Sequence, residues 1–309
     1  MKSQTNTFQS SDNLSIQYYQ WLPDAPDSIK GAVQIAHGLS EHAQRYESFA
    51  KELTNQGYAV YANDHRGHGQ TAGSPEKVGY FEETPFWKAA LGDMHQLTQL
   101  IQKENEGIPI FLFGHSMGSL LTRQYITQWG KGLKGAIICA TGGDPGMLGK
   151  IGGAVAKLTS TISGKKERSQ FLDKLSFGKF NDAFKPNRTD FDWLSRDEKE
   201  VDKYINDPYC GVVFTAGFWV DFLKGINYIN SADCYQKTPK ELPLLLIAGD
   251  KDPVGDMGKG VLQIKQAYEK VNIKKLQCTL YPEARHELLN ETNREEVIGD
   301  ILKWLEQCV

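Results

Sequence analysis

The stretch Pro109-Ile-Phe-Leu-Phe-Gly-His-Ser-Met-Gly118 decides the fold. Its first half, Ile110 to Phe113, is a short apolar run between a proline and a glycine, which predicts a buried strand. Its second half, Gly114-His115-Ser116-Met117-Gly118, reads G-x-S-x-G. Beyond it Leu120, Leu121, Gln124, Tyr125 and Trp129 recur at helical spacing, and Gly130 closes the run as a C-cap. Strand, sharp turn and helix together lift a serine hydroxyl clear of a sheet. Only glycine tolerates the crowding two residues to either side. The helix entry also leaves free N–H groups and a positive dipole end beside Ser116, the Met117 N–H first among them.

The same alternation runs outward in both directions. Thr5 to Leu22 reads as a hairpin around Ser10-Ser-Asp-Asn13. Ala32 to Ala36 is a buried strand that ends in His37-Gly38-Leu39-Ser40-Glu41-His42. Tyr46, Phe49, Ala50 and Leu53 then mark a helix stopped by Gly57. The next strand, Tyr58 to Ala62, runs into Asp64-His-Arg-Gly-His-Gly69. Thr84 as N-cap and Pro85 in the first turn open a helix whose apolar face carries Phe86, Trp87, Ala90, Leu91, Met94, Leu97 and Ile101. Ala136 to Ala140 is another buried strand, after which the alternation lapses. It resumes with the strand Pro243 to Ala248, a helix over Gly260 to Val271 and the strand Leu276 to Tyr281. A last helix starts at Thr292, with Glu295 completing a capping box. The pattern predicts an α/β chain with a mostly parallel central sheet covered by helices on both faces. Ligands in such sheets bind beyond the C-terminal ends of the strands.

The chain has 309 residues, 40% apolar and 24% charged, enough for one large core or a core with an insertion. A net charge of −3 gives no basic footprint for nucleic acid. The five cysteines form no C-x-x-C and are odd in number, which points to a reducing compartment. The N-terminus carries no apolar signal segment and no run is long enough to span a bilayer. The expected home is the cytoplasm, with peripheral contact at a membrane left open.

A nucleophilic serine needs a base, and the base needs an orienting acid. Where the serine sits on such a turn, acid and base follow it along the chain in that order. His286 is the only histidine after Ser116. Two acids leave the strand that ends at Ala248. Asp250 stands at the strand end and can cap the loop, whereas Asp252 has the reach of a further turn. A second oxyanion donor belongs in the loop after Ala36, where the Leu39 N–H pairs with that of Met117 and Gly38 lets the backbone approach a substrate. His37, His42, Asp64, His65 and His68 gather histidines and an acid at strand ends. Their spacing matches no zinc pattern, so the expectation is a structural turn and no metal.

These residues resemble a known family, the monoacylglycerol lipase and bacterial lysophospholipase branch of the serine α/β-hydrolases. The resemblance rests on His37-Gly-Leu-Ser-Glu-His42 with Arg45-Tyr46, Asp64 to Gly69, Gly114 to Gly118, Gly249-Asp-Lys-Asp252 and Ala284-Arg-His286. Trp193 to Asp197 and Asp207 to Gly211 resemble the insertion of bacterial members. It implies the α/β-hydrolase fold, with Ser116 as nucleophile, His286 as base, Asp252 as acid, Leu39 and Met117 as oxyanion donors, and no cofactor. The implied substrate is a small-molecule acyl lipid with one chain, a monoacylglycerol or lysophospholipid. The same triad also serves short-chain esterases, thioesterases and proline-type aminopeptidases, and a ligand-binding relative without catalysis is a further class. Leu39 departs from the small residue that family lipases often carry after His-Gly.

The fold implied by the resemblance places its helical cap where the alternation lapses. The expected division is a core of residues 1–141 and 237–309 and a cap of residues 142–236. Met147 to Ile162 is rich in apolar residues, and Phe184, Phe191, Trp193, Phe214, Phe218, Trp219 and Phe222 follow. Such aromatics either line an acyl tunnel or pack the cap onto the core. Gly38, His115, Phe214 and Phe218 are the residues assigned to the substrate pocket.

Overall fold

The computed structural model describes residues 1–25, 29–81 and 85–309. An eight-stranded sheet runs through it in the order β1-β2-β4-β3-β5-β6-β7-β8. Strands β1 (Lys2–Gln9) and β2 (Ser15–Leu22) form the antiparallel hairpin, and β2 runs antiparallel to β4 (Tyr58–Asn63). The remaining pairs are parallel: β4 with β3 (Gly31–Ala36), then β5 (Ile110–His115), β6 (Gly135–Cys139), β7 (Leu244–Gly249) and β8 (Leu276–Tyr281). Every residue of β3 to β7 is buried, because helices cover both faces.

One face carries α1 (Glu47–Asn55) and α10 (Arg294–Cys308); their Phe49, Leu53, Ile301 and Trp304 pack with Val33, Phe111 and Phe113. The other carries α2 (Phe86–Glu104), α3 (Met117–Trp129) and α9 (Lys259–Lys270), with Met94, Leu97, Leu121 and Ile264 against Leu112 and Leu246. Between β6 and β7 the chain forms α4 (Gly146–Ser163), α5 (Gln170–Phe177), α6 (Glu198–Asn206), α7 (Ala216–Ile229) and α8 (Ala232–Lys237).

Gly130 caps α3 where the sequence reading places it, and two other helix ends differ from that reading or fall beyond it. Helix α10 begins at Arg294, not Thr292, and no capping box forms. The Thr292 N–H turns back to the Glu291 carboxylate at 2.9 Å, a nearer acceptor than Glu295. Gly130 follows α3 in a right-handed conformation and continues into a short 3-10 turn. The cap expected at Thr84 lies outside the described residues, and α2 is described from Phe86.

Register brings the functional loops together. Because β3 pairs with β5, Ala36 opposite Gly114, the loop after β3 lies beside the turn after β5. Because β7 pairs with β8, Gly249 opposite Tyr281, the loops that carry Asp252 and His286 are also neighbours.

Candidate active site

Ser116 joins β5 to α3 with φ 50° and ψ −118°, a conformation that costs a non-glycine residue of order 1–3 kcal/mol. Its own N–H is held by the Cys139 carbonyl at 3.0 Å. A Cβ on Gly114 would overlap Thr122 and Gly118, and one on Gly118 would overlap the Ala36 carbonyl. Both glycines are therefore required by packing, as the strained turn demands. The Leu39 and Met117 N–H groups have no acceptor among the described residues. Both residues line the cavity onto which Ser116 opens.

His286 is buried, 3% exposed, and its Nδ1 meets both oxygens of the fully buried Asp252, at 3.0 and 2.9 Å. With Nδ1 donating to the acid, Nε2 is left unprotonated as a proton acceptor. Burial works to lower the His286 pKa, but the Asp252 charge and hydrogen bond outweigh it, and the net direction is up. Asp250 does something else: its Oδ1 accepts the Glu283 N–H at 2.8 Å and caps the loop. The geometry separates the two acids that the sequence leaves side by side.

The loop after β3 is braced from below. Glu41 accepts the Gly38 N–H at 2.6 Å and the Tyr46 hydroxyl at 2.8 Å. Arg45 donates to Glu41 at 2.7 Å and forks onto Glu287, at 2.6 and 2.7 Å, next to His286. Burial works to raise the Glu41 carboxyl, and the Arg45 charge wins, so it is held low. His37 accepts the His65 N–H on Nε2 at 2.9 Å, which leaves Nδ1–H to donate to the Gly38 carbonyl at 2.8 Å. Both its nitrogens are occupied, so it offers no metal ligand. Burial pushes His65 and His68 down to about 3 and His115 to about 4, so all three stay neutral. Elsewhere His42, Asp207 and Cys210 bring donor atoms within 4.8 Å of one another, with His42 already bonded to Asp207 at 2.8 Å.

The cavity at Ser116 measures about 930 Å³. Its wall carries the apolar Leu39, Leu120, Trp193, Trp219, Phe222 and Ile226. It also carries polar side chains, among them Glu41 and Glu287 of the loops and Asp173, Lys174, Lys179, Asn181 and Asp190. Gly38 and His115 line it. Phe214 and Phe218 do not, which corrects the pocket assignment made from sequence. They are 0% and 1% exposed and pack against Phe81, Phe86 and His68, tying α7 to the core. Phe177 and Phe180, which stack around Trp193, take that place in the lining. Sequence reasoning missed them, together with Arg45–Glu287. The signal available was the acid directly after His286.

With the geometry in hand, comparison with known proteins adds the following. The family model described as serine aminopeptidase, S33 matches residues 27–293. A monoacylglycerol lipase of Mycolicibacterium smegmatis is 27% identical, over 97% of this chain and 96% of its own. The monoglyceride lipase of Homo sapiens is 29% identical, over 93% of this chain and 85% of its own. A solved structure, a highly thermostable carboxyl esterase from Bacillus coagulans in complex with glycerol, superposes over 100% of both chains with a TM-score of 0.92 and 28% identity.

Proposed function

This chain belongs to the serine aminopeptidase, S33 family, and we propose that within it the molecule is a carboxylic-ester hydrolase of single-acyl lipids, monoacylglycerols above all. It is a serine hydrolase with the α/β-hydrolase fold. One observation carries the choice of substrate. Ser116 opens onto a cavity of about 930 Å³ with many apolar side chains in its wall, and the two acids on the loops beside Ser116 and His286, Glu41 and Glu287, are both paired with Arg45, while the other lining acids, Asp173, Asp182 and Asp190, belong to the segment between β6 and β7. A peptidase that holds a free amine needs an unpaired acid at that place. An acyl chain needs apolar wall.

The chemistry follows from the positions. The Ser116 hydroxyl attacks the ester carbonyl while His286 Nε2 takes its proton, and Asp252 holds the imidazolium that forms. The N–H groups of Leu39 and Met117 bind the oxyanion. As the carbonyl re-forms, His286 returns the proton to the leaving alcohol, and the acyl group stays on Ser116. Water, deprotonated by His286, attacks the acyl-enzyme and releases the fatty acid and the free serine. No cofactor enters any step.

Residues 142–236 act as a cap over this cavity. Met147, Leu148, Ile151, Leu158 and Ile162 of α4 are between 54% and 78% exposed, with Phe171 and Leu175 of α5 both 58%. An apolar face of this kind marks a docking surface, and we assign it to the lipid surface that holds the substrate. Among the described residues no helix is long and apolar enough to cross a membrane, so the contact is peripheral. The five free cysteines accord with a cytoplasmic home.

The test is a substrate panel with Ser116→Ala as control: a long-chain monoacylglycerol, a lysophosphatidylcholine of equal chain length, a short p-nitrophenyl ester and a prolyl amide. Ser116-dependent release from the monoacylglycerol at the highest kcat/KM is expected. Activity confined to the short ester or the amide would contradict the proposal.

A further inference from the structure

Glu291 is completely buried, five positions beyond His286, and none of the steps above uses it. Its Oε1 accepts the Arg285 N–H at 2.8 Å and the Arg196 N–H at 3.1 Å. Its Oε2 accepts Arg196 Nε at 2.8 Å and the Thr292 N–H at 2.9 Å. The Thr292 hydroxyl adds a longer contact to Oε2 at 3.5 Å, and the four shorter donors alone saturate a carboxylate. An amide in its place would turn NH₂ toward two N–H donors and satisfy only half of them.

The donors come from two places that matter. The Arg285 N–H belongs to the residue directly before His286. Arg196 ends the segment whose Trp193 and Leu194 line the cavity. Backbone bonds continue the seam: the Glu287 N–H reaches the Leu194 carbonyl at 2.7 Å, the His286 N–H the Trp193 carbonyl at 3.4 Å, and the Ser195 hydroxyl the Asn290 carbonyl at 2.8 Å. Glu291 is the charged clasp at the end of that seam.

We propose that Glu291 is a positioning residue for the base: through Arg285 and Arg196 it fixes His286 against Asp252 and, with the same carboxylate, fixes the Trp193–Leu194 wall against His286. This rests on His286 being the base. A displacement of about 1 Å in such a group costs on the order of 10² in rate. Because the wall and the base share one clasp, the loss falls on turnover of every ester, small or large.

The experiment measures kcat, KM, the acid limb of the pH profile and the melting temperature on p-nitrophenyl acetate for Glu291→Gln, Arg196→Gln and His286→Ala. Expected for Glu291→Gln is a kcat lower by about 10²-fold, a KM within about twofold and an acid limb moved to lower pH as His286 loses its alignment with Asp252. Arg196→Gln keeps its backbone donor and loses about fivefold, the worth of about one hydrogen bond, with the same direction of limb shift. A lowered melting temperature with wild-type kcat and acid limb would mean a purely structural role and overturn the proposal. Should Glu291→Gln not fold, Arg196→Gln decides by the same criteria, since its side chain is 28% exposed and tolerates change. Retained activity in His286→Ala would instead overturn the reading beneath it, and this proposal with it.

Discussion

Helix α4 and the segment 191–213 both lie between β6 and β7, yet they are attached to the molecule in opposite ways. Among the described residues α4 makes no hydrogen bond or ion pair beyond its own turns and neighbours; it packs on α7, where Gly149 and Gly152 face Asn227 and Leu223, and its buried residues are Gly149, Ala156 and Ser160. The segment 191–213 is bonded to the loop after β3 and to the His286 loop, which we propose carry the oxyanion donor and the base. Gly211 N–H and Tyr204 hydroxyl donate to the Ser40 carbonyl at 3.1 and 3.0 Å, and the Val212 N–H to Ser40 Oγ at 2.7 Å. Trp193, Leu194 and Arg196 meet the His286 loop. On the proposed mechanism, a segment that shares its hydrogen bonds with the loops of Leu39 and His286 is tied to the chemistry. The helix held by packing, with its outer face exposed, is the one we assign to lipid.

If the two regions divide the work in this way, changes at the centre strike every substrate. His286→Ala is expected to lower kcat on long and short esters alike by about 10⁴-fold or more, measured by fatty-acid titration and p-nitrophenol release. Asp252→Asn is expected to lose about 10⁴-fold. Its residual activity carries a pH signature. The rate rises as His286 loses its proton, and the Asp252 charge is what lifts that pKa against burial. Without the charge, burial prevails and the acid limb moves to lower pH. A limb that stays in place would separate Asp252 from the base.

Changes on α4 sharpen the contrast. Met147, Leu148 and Ile162, 73%, 78% and 76% exposed, mutated together to serine, are expected to lower the rate on vesicle-borne monoacylglycerol by about 10²-fold. That is the worth of about 1 kcal/mol of interfacial burial for each side chain. The rate on soluble p-nitrophenyl acetate holds within about twofold. Equal losses on both substrates would break the division. The smallest effect is expected from Ser40→Ala, which removes both Oγ bonds to Val212, 2.7 and 3.1 Å, at a cost of about 1 kcal/mol. Calorimetry should show a melting temperature lower by about 2 °C, and the soluble ester should turn over a few-fold more slowly because Leu39 is the adjacent residue.

The sheet was legible because strand-length apolar runs alternate with helical stripes, and the turn at Ser116 because two glycines flank a serine between a strand and a helix. Legibility ended where function depends on distant segments meeting. Arg45 and Glu287 lie 242 positions apart, and Arg196 and Glu291 lie 95 apart. No local pattern links them. Asp250 and Asp252 look alike in sequence because loop direction, not composition, aims one at Glu283 and the other at His286. Phe214 and Phe218 were misplaced for a related reason. An aromatic in the insertion has the same composition whether it faces a cavity or the core, and here Phe81 and Phe86 supply the packing partners. At Thr292 a local rule lost to a neighbour, because Glu291 already held the N–H that a capping box would order.

Native-state hydrogen exchange reads the division between the two regions amide by amide. The amides of Arg196, Gly211, Val212 and Glu287 should exchange as slowly as the central strands, and those of α4 at least about tenfold faster. Addition of monoacylglycerol-bearing vesicles should slow α4 and leave the others unchanged. Protection of α4 equal to that of the segment 191–213, or exchange of both at one rate, would contradict the separation of a lipid-facing helix from a wall bonded to the catalytic loops.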